Sequence, residues 1–101
     1  VTYGYVLVDV QVSNPEAFKQ YAAEAPAAAH ALGGQYLVRG GKIEVLEGEW
    51  NPNRLTVIQF PSFEAAKQWY DGDLYRQARA KRAGAASRFN MVLVEGMAAP
   101  V

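Results

Sequence analysis

The chain is 101 residues long, half of them hydrophobic (50%) and a fifth charged (20%), with Lys+Arg matching Asp+Glu at 10 each for a formal net charge of zero. This composition is globular rather than disordered, and the length fits one domain spanning 1–101 and not two ordinary ones. The even charge argues against nucleic acid, the lack of cysteine excludes disulfides, thiolate zinc sites and cysteine nucleophiles, and no apolar run approaches the roughly 20 residues of a membrane span.

The opening Val1-Thr2-Tyr3-Gly4 lacks the basic start and apolar stretch of a secretory signal, so a cytoplasmic location is expected. Tyr3 to Val12 reads as a strand. Val6, Val8, Val10 and Val12 share one face by the period of two, while Tyr5, Leu7, Asp9 and Gln11 share the other. Asn14-Pro15-Glu16 is a helix start, with Asn14 as cap, Pro15 at the first position and Glu16 against the positive end of the dipole. Phe18, Tyr21, Ala22, Ala25, Ala29 and Leu32 follow at helical spacing. Pro26 should kink or restart this helix, and Gly33-Gly34 should end it.

Gln35 to Arg39 and Lys42 to Leu46 read as two short strands joined by Gly40-Gly41, a two-residue hairpin signal. Glu47 to Asn53 reads as a loop and Arg54 to Phe60 as the next strand. Ser62 should cap a second helix whose inward stripe is Phe63, Ala66, Trp69 and Tyr70. Asp71-Gly72-Asp73 interrupts it, and Asp73 should cap a continuation from Leu74 to about Arg82. Ser87 to Glu95 is the last strand, with Phe89, Met91 and Leu93 on one face and Val92 and Val94 on the other. No repeat, low-complexity tract or linker interrupts the sequence.

This order is the plan of an α+β fold of ferredoxin-like βαββ(β)αβ topology, an antiparallel sheet with two helices on one face and one hairpin strand as an insertion or edge. The other face would expose Tyr5, Leu7 and their neighbours, an adhesive patch that a twofold homodimer would bury.

Leu37-Val38-Arg39-Gly40-Gly41, Val45-Leu46-Glu47-Gly48-Glu49-Trp50, Phe60-Pro61-Ser62 and Trp69-Tyr70 with Tyr75-Arg76-Gln77-Ala78-Arg79 resemble the domain of unknown function 1330 family. Ser87-Arg88 and Val94-Glu95-Gly96 are similar too, so the resemblance runs from Tyr5 to Gly96. It implies a bacterial-type dimeric α+β barrel. That superfamily includes cofactor-independent monooxygenases, muconolactone-type isomerases and stress-responsive barrel proteins. The family itself has no established common activity.

The residues that can carry chemistry are few. His30 holds the one imidazole, the side-chain type suited to proton transfer near neutral pH, and is the candidate catalytic base; a histidine at a helix C-terminus is also favoured by the dipole alone. Arg39, Arg54, Arg79 and Arg88 can hold carboxylates through their forked guanidinium groups, or pair with Glu44, Glu47 and Glu95 on the rim. Arg79 follows Tyr75 by one helical turn, so the two can face one cavity. Trp50, Trp69, Tyr70 and Tyr75 can line a pocket for a flat organic ligand, although helical spacing makes core packing the simpler role for Trp69 or Tyr70, and Trp50 can instead plug a partner subunit. Asp71 and Asp73 lack the further carboxylates of a calcium loop, Gly40-Gly41 is too short for a phosphate loop, and Ser62 and Ser87 have no nucleophile elbow.

Three readings follow. The first is a dimer that binds a small aromatic or carboxylated metabolite between sheet and helices, through Arg39, Trp50, Trp69, Tyr70, Tyr75 and Arg79. The second is a cofactor-independent oxygenase or isomerase using His30, with no metal or cofactor expected. The third is a structural dimer without ligand. A filled interior around Trp69 and Tyr75 favours the third, and an open pocket there favours the first two.

Overall fold

A computed structural model describes residues 2–99; Val1, Pro100 and Val101 lie outside the described residues. The valine alternation sets the first strand, β1 (Gly4–Val12). Val6, Val8 and Val10 are buried beneath the helices, whereas Leu7 on the opposite face is 38% exposed. β1 pairs antiparallel with both β3 (Arg54–Phe60) and β4 (Ala86–Glu95), and β2 (Gln35–Arg39) adds to the outer side of β3, giving the order β2-β3-β1-β4. Register carries the buried face across the sheet: Val6 lies between Ile58 and Leu93, and Val10 faces Phe89. The chain has the ferredoxin-like fold, with α1 (Pro15–Ala31), α2 (Phe63–Asp71) and α3 (Asp73–Ala80) completing it.

The helix starts at Asn14 and Ser62 form as their residue types require. The Asn14 side chain accepts from the Ala17 amide, and the Ser62 hydroxyl accepts from the Ala65 amide. Asp73 does not cap α3. Gly72 occupies that position without a side-chain bond, and Asp73 instead forms an ion pair with Arg76 one turn on. Phe63, at the first turn of α2, is 38% exposed, so the buried stripe of that helix narrows to Ala66 and Trp69.

Pro26 neither kinks α1 into two pieces nor restarts it. A proline there withholds the amide that the Ala22 carbonyl, four residues earlier, would accept. Arg39 supplies the missing donor: its guanidinium bonds to the Ala22 carbonyl from the end of β2.

The strand expected over Lys42–Leu46 does not form, and residues 41–53 run as an irregular loop. A tight hairpin of the type favoured by two glycines needs positive φ at both. Gly40 has it (φ 67) and Gly41 does not. The Gly40 amide also donates to the Leu55 carbonyl at 2.8 Å, which keeps the chain bound to β3 instead of turning it back along β2.

Helix α2 begins directly over the first residue of β1. A Cβ placed on Gly4 would sit 2.6 Å from the Ser62 carbonyl oxygen and 2.8 Å from the Phe63 Cα, both backbone atoms that cannot rotate away. Gly4→Ala is therefore expected to lower stability by about 1–3 kcal/mol, the usual range for overpacking. Urea unfolding checks this, and an unchanged midpoint would mean that α2 can lift without cost.

Candidate functional site

Aromatic side chains from α1, α2, α3 and β3 meet above the sheet. Phe60 packs on Trp69 with ring centroids 5.0 Å apart, and Trp69 packs on Tyr75 at 4.2 Å. Tyr75 is fully buried behind Trp69 and reaches Tyr21 of α1, their hydroxyls 2.8 Å apart. Tyr75 is thus a core residue and does not line the cavity beside Trp69.

Trp69 has two environments. One side of it belongs to this stack, and it also borders an open cavity of about 310 Å³ between α2 and the edge strand β4. Val6, Ala66, Met91 and Leu93 form the apolar wall, Trp69 and Tyr70 the aromatic wall, and Lys67 the rim. The cavity lies where α2 meets β4, the last strand of the sheet. The Trp69 indole N–H is buried and has no hydrogen-bond partner. An orphaned donor of this kind costs about 1–3 kcal/mol unless something accepts its hydrogen bond.

Cations gather at Tyr70. The Arg79 guanidinium lies 4.6 Å from its ring centroid and the Lys67 ammonium 5.8 Å. Lys67 is paired with Asp71 at 2.9 Å, while Arg79 forms no ion pair with a described residue. An apolar cleft with an aromatic wall can take a ring-sized molecule, and Arg79, which touches Tyr70 without lining the cleft, is the guanidinium nearest to that wall for a carboxylate on the ring.

The structure places Trp69, Tyr70, Tyr75 and Arg79 side by side, with Tyr75 in the core rather than facing a cavity with Arg79, and sets His30, Trp50 and Arg39 apart from them. His30 is exposed at the end of α1, edge-on to Tyr36 with centroids 6.4 Å apart, and does not line the Trp69 cavity. Trp50 lies on the opposite face of the sheet, 60% exposed, where its indole donates to Asp9 at 3.2 Å. Arg88 also bonds Asp9, at 3.0 Å, so its carboxylate partner is neither Glu44, Glu47 nor Glu95. Desolvation raises the Asp9 pKa, but the hydrogen bonds from Arg88 and Trp50 outweigh it and hold the carboxyl below its ordinary range. Arg39 stands at the far end of the sheet, over Tyr36.

Sequence reasoning missed Lys67, Met91 and Leu93 as cavity residues. Lys67 precedes Tyr70 by three residues, a spacing that places both on one helix face. Met91 and Leu93 were readable as an apolar face but not as one left half-covered.

A family model described as a domain of unknown function (DUF1330) matches residues 3–97. The chain belongs to this family. No curated protein matches it. Among solved structures, it is similar to a protein of unknown function from Rhodopseudomonas palustris, at 19% identity and a TM-score of 0.73, covering 94% of this chain and 82% of that one. It is also similar to a dimeric ferredoxin-like protein of unknown function from Jannaschia sp. CCS1 (13% identity, TM-score 0.68, 94% of this chain and 98% of that one). A dimeric ferredoxin-like protein of unknown function from Thermobifida fusca aligns at 10% identity and a TM-score of 0.61, over 95% and 92% of the two chains. At these identities the likeness is one of fold. Among the described residues, no helix is long and apolar enough to cross a membrane and no group of acidic or histidine side chains could hold a metal ion.

The Tyr21–Tyr75 pair fixes α1 to α3 within this family member. Burial, then the neighbouring Tyr75, drives the Tyr21 pKa far above its ordinary value of 10.0; Arg82 opposes the shift only in part. Below about pH 10 folded and unfolded chains both keep this proton, so it gives stability no pH dependence there. Above that, the unfolded chain loses the proton and the folded chain keeps it, so stability falls as pH rises. Tyr21→Phe should cost about 1–3 kcal/mol by orphaning the Tyr75 hydroxyl, and Tyr21→Phe with Tyr75→Phe should recover part of that loss. Urea unfolding of the double-mutant cycle at neutral pH decides it; strictly additive losses would show that the hydroxyl pair contributes nothing.

Proposed function

We propose that this protein is a homodimer that binds a small aromatic carboxylate, each protomer using the cavity between α2 and β4. The observation that carries the reading is the open apolar cavity of about 310 Å³ walled by Trp69 and Tyr70. A ring fills the space against Tyr70, Met91 and Leu93, and its carboxylate faces Arg79 beside Tyr70. Apolar surface of a bound ring contributes roughly 25 cal/mol per Å² removed from water, and the charged contacts supply orientation.

Support for the dimer is the uncovered face of the sheet. Leu7, Val38, Val92 and Val94 are 38%, 42%, 59% and 48% exposed there, and Leu7 and Val92 line a cavity of about 400 Å³ that Trp50 also borders. A contiguous apolar face of this kind marks an association surface. A second copy of the same face, apolar and with Asp9 and Arg88 already paired within each protomer, meets it without stranding a charge. The ligand cavity lies on the helix side of the sheet and stays open in such a pairing.

Both halves are testable. Native mass spectrometry is expected to show a dimer, and Val92→Asp, which alters an exposed side chain, is expected to give a folded monomer; a dimer unchanged by Val92→Asp removes this face from the interface. For the ligand, Trp50→Phe leaves Trp69 as the sole indole. Phenylacetate should then change Trp69 emission saturably, and Arg79→Gln should weaken binding about tenfold. Emission that does not respond to millimolar phenylacetate rules out the cavity as its site.

A further inference from the structure

We propose that the end of β2 and the start of β3 form a second, separate anion site, in which Arg39 and Arg54 grip the carboxylate of a small organic acid. The site begins with a register shift. β2 pairs Tyr36 with Ile58 and then Val38 with Val57, leaving Leu37 as an extra residue. A bulge of this kind re-aims the side chains that follow it. Tyr36 and Arg39, three residues apart, thereby both face the helices, opposite Ile58 and Thr56.

Each guanidinium is then held in place from behind. Arg39 bonds the Ala22 carbonyl and lies 5.2 Å from the Tyr36 ring centroid. Arg54 lies 5.8 Å from the Phe18 centroid and crosses Gly40 so closely that a Cβ there would stand 3.1 Å from its Cζ. Gly40 also has φ 67, so both its backbone and its bareness serve this packing. Arg39 and Arg54 border one narrow cavity of about 30 Å³ with Thr56, room for a water-sized group or the head of a carboxylate.

Neither arginine has a carboxylate partner among the described residues, and neither does Lys19. Lys19 lines a larger cavity, about 430 Å³, that adjoins Phe18, Gly40 and Arg54 and leaves room for the rest of an acid. Arg54 borders both cavities, with Arg39 on the narrow one and Lys19 on the larger one, and like charges held around them favour an anion there. A guanidinium has five N–H donors, so the bond from Arg39 to Ala22 leaves it donors for a ligand. The fork geometry selects a planar carboxylate over a simple halide.

Succinate is the probe, titrated at fixed ionic strength and followed by the NMR signals of the Gly40 amide and the Arg39 and Arg54 Nε–H groups. The expected result is a saturable shift of all of these, with chloride at the same ionic strength producing none. Arg54→Gln should weaken succinate about tenfold while leaving the phenylacetate response of Trp69 unchanged. Should Arg54→Gln fail to fold, Arg54→Lys keeps the charge, loses the fork and should bind succinate more weakly. Shifts that never saturate, an equal response to chloride, or full affinity in a folded Arg54 variant would each overturn the site. Because Trp69 reports the other cavity, loss of one binding event is read independently of the other.

Discussion

The packing of Val6, Val8 and Val10 under the helices is the constraint on which the rest of the structure depends. These residues sit on the central strand, between β3 and β4, so every other element is placed by how it covers them. Ala25, Ala28 and Ala29 let α1 approach closely, and Phe60, Trp69 and Tyr75 fill the volume above the sheet from the other end. Burying so many large side chains on one side leaves the opposite side of the same strands bare, since a strand alternates its residues between faces. One face therefore becomes the core with clefts at its margins, and the other an apolar surface.

The clefts lie where this coverage ends. Three helices over a four-stranded sheet leave both edge strands partly covered. At β4 the shortfall is an apolar space beside Trp69, because Met91 and Leu93 extend the buried face beyond the reach of α2. At β2 it is a narrow charged space, because the bulge at Leu37 brings Arg39 inward where a regular strand would have turned it out. The same arginine completes the helix interrupted by Pro26, so Arg39 links local helix integrity to the electrostatics of the cleft mouth.

Strands and caps were legible in the sequence wherever local pattern and tertiary demand agree. The valines of β1, the Asn14 and Ser62 caps and the span of β3 needed only periodicity and residue chemistry. Failures arose where a distant group decides. Ile43 and Val45 alternate as a strand should, but a strand needs a partner, and the Gly40 amide is already committed to Leu55. Pro26 reads as a helix breaker until Arg39 is seen to take up the freed carbonyl. Asp73 reads as a cap, yet Arg76 one turn away draws its carboxylate into an ion pair. The aromatic half of the candidate site was visible because Trp69, Tyr70 and Arg79 lie on consecutive helices. The Arg39–Arg54 arrangement was not, because alternation alone cannot reveal a bulge.

The sheet itself separates the bare apolar surface from the clefts. Tyr5, Leu7, Val57 and Val92 project to one side and Val6, Val8, Ile58 and Met91 to the other from the same backbone ladder. A second copy meeting the bare face and a ligand entering a cleft on the helix face therefore compete for no side chain. They do share strands. Anything that flattens or twists β4 against β1 moves Val92 on one side and Met91 on the other together, since neighbours along a strand cannot shift separately. Met91 and Leu93 in the floor of the Trp69 cavity are thereby tied to Val92 and Val94 on the bare face through one stretch of β4.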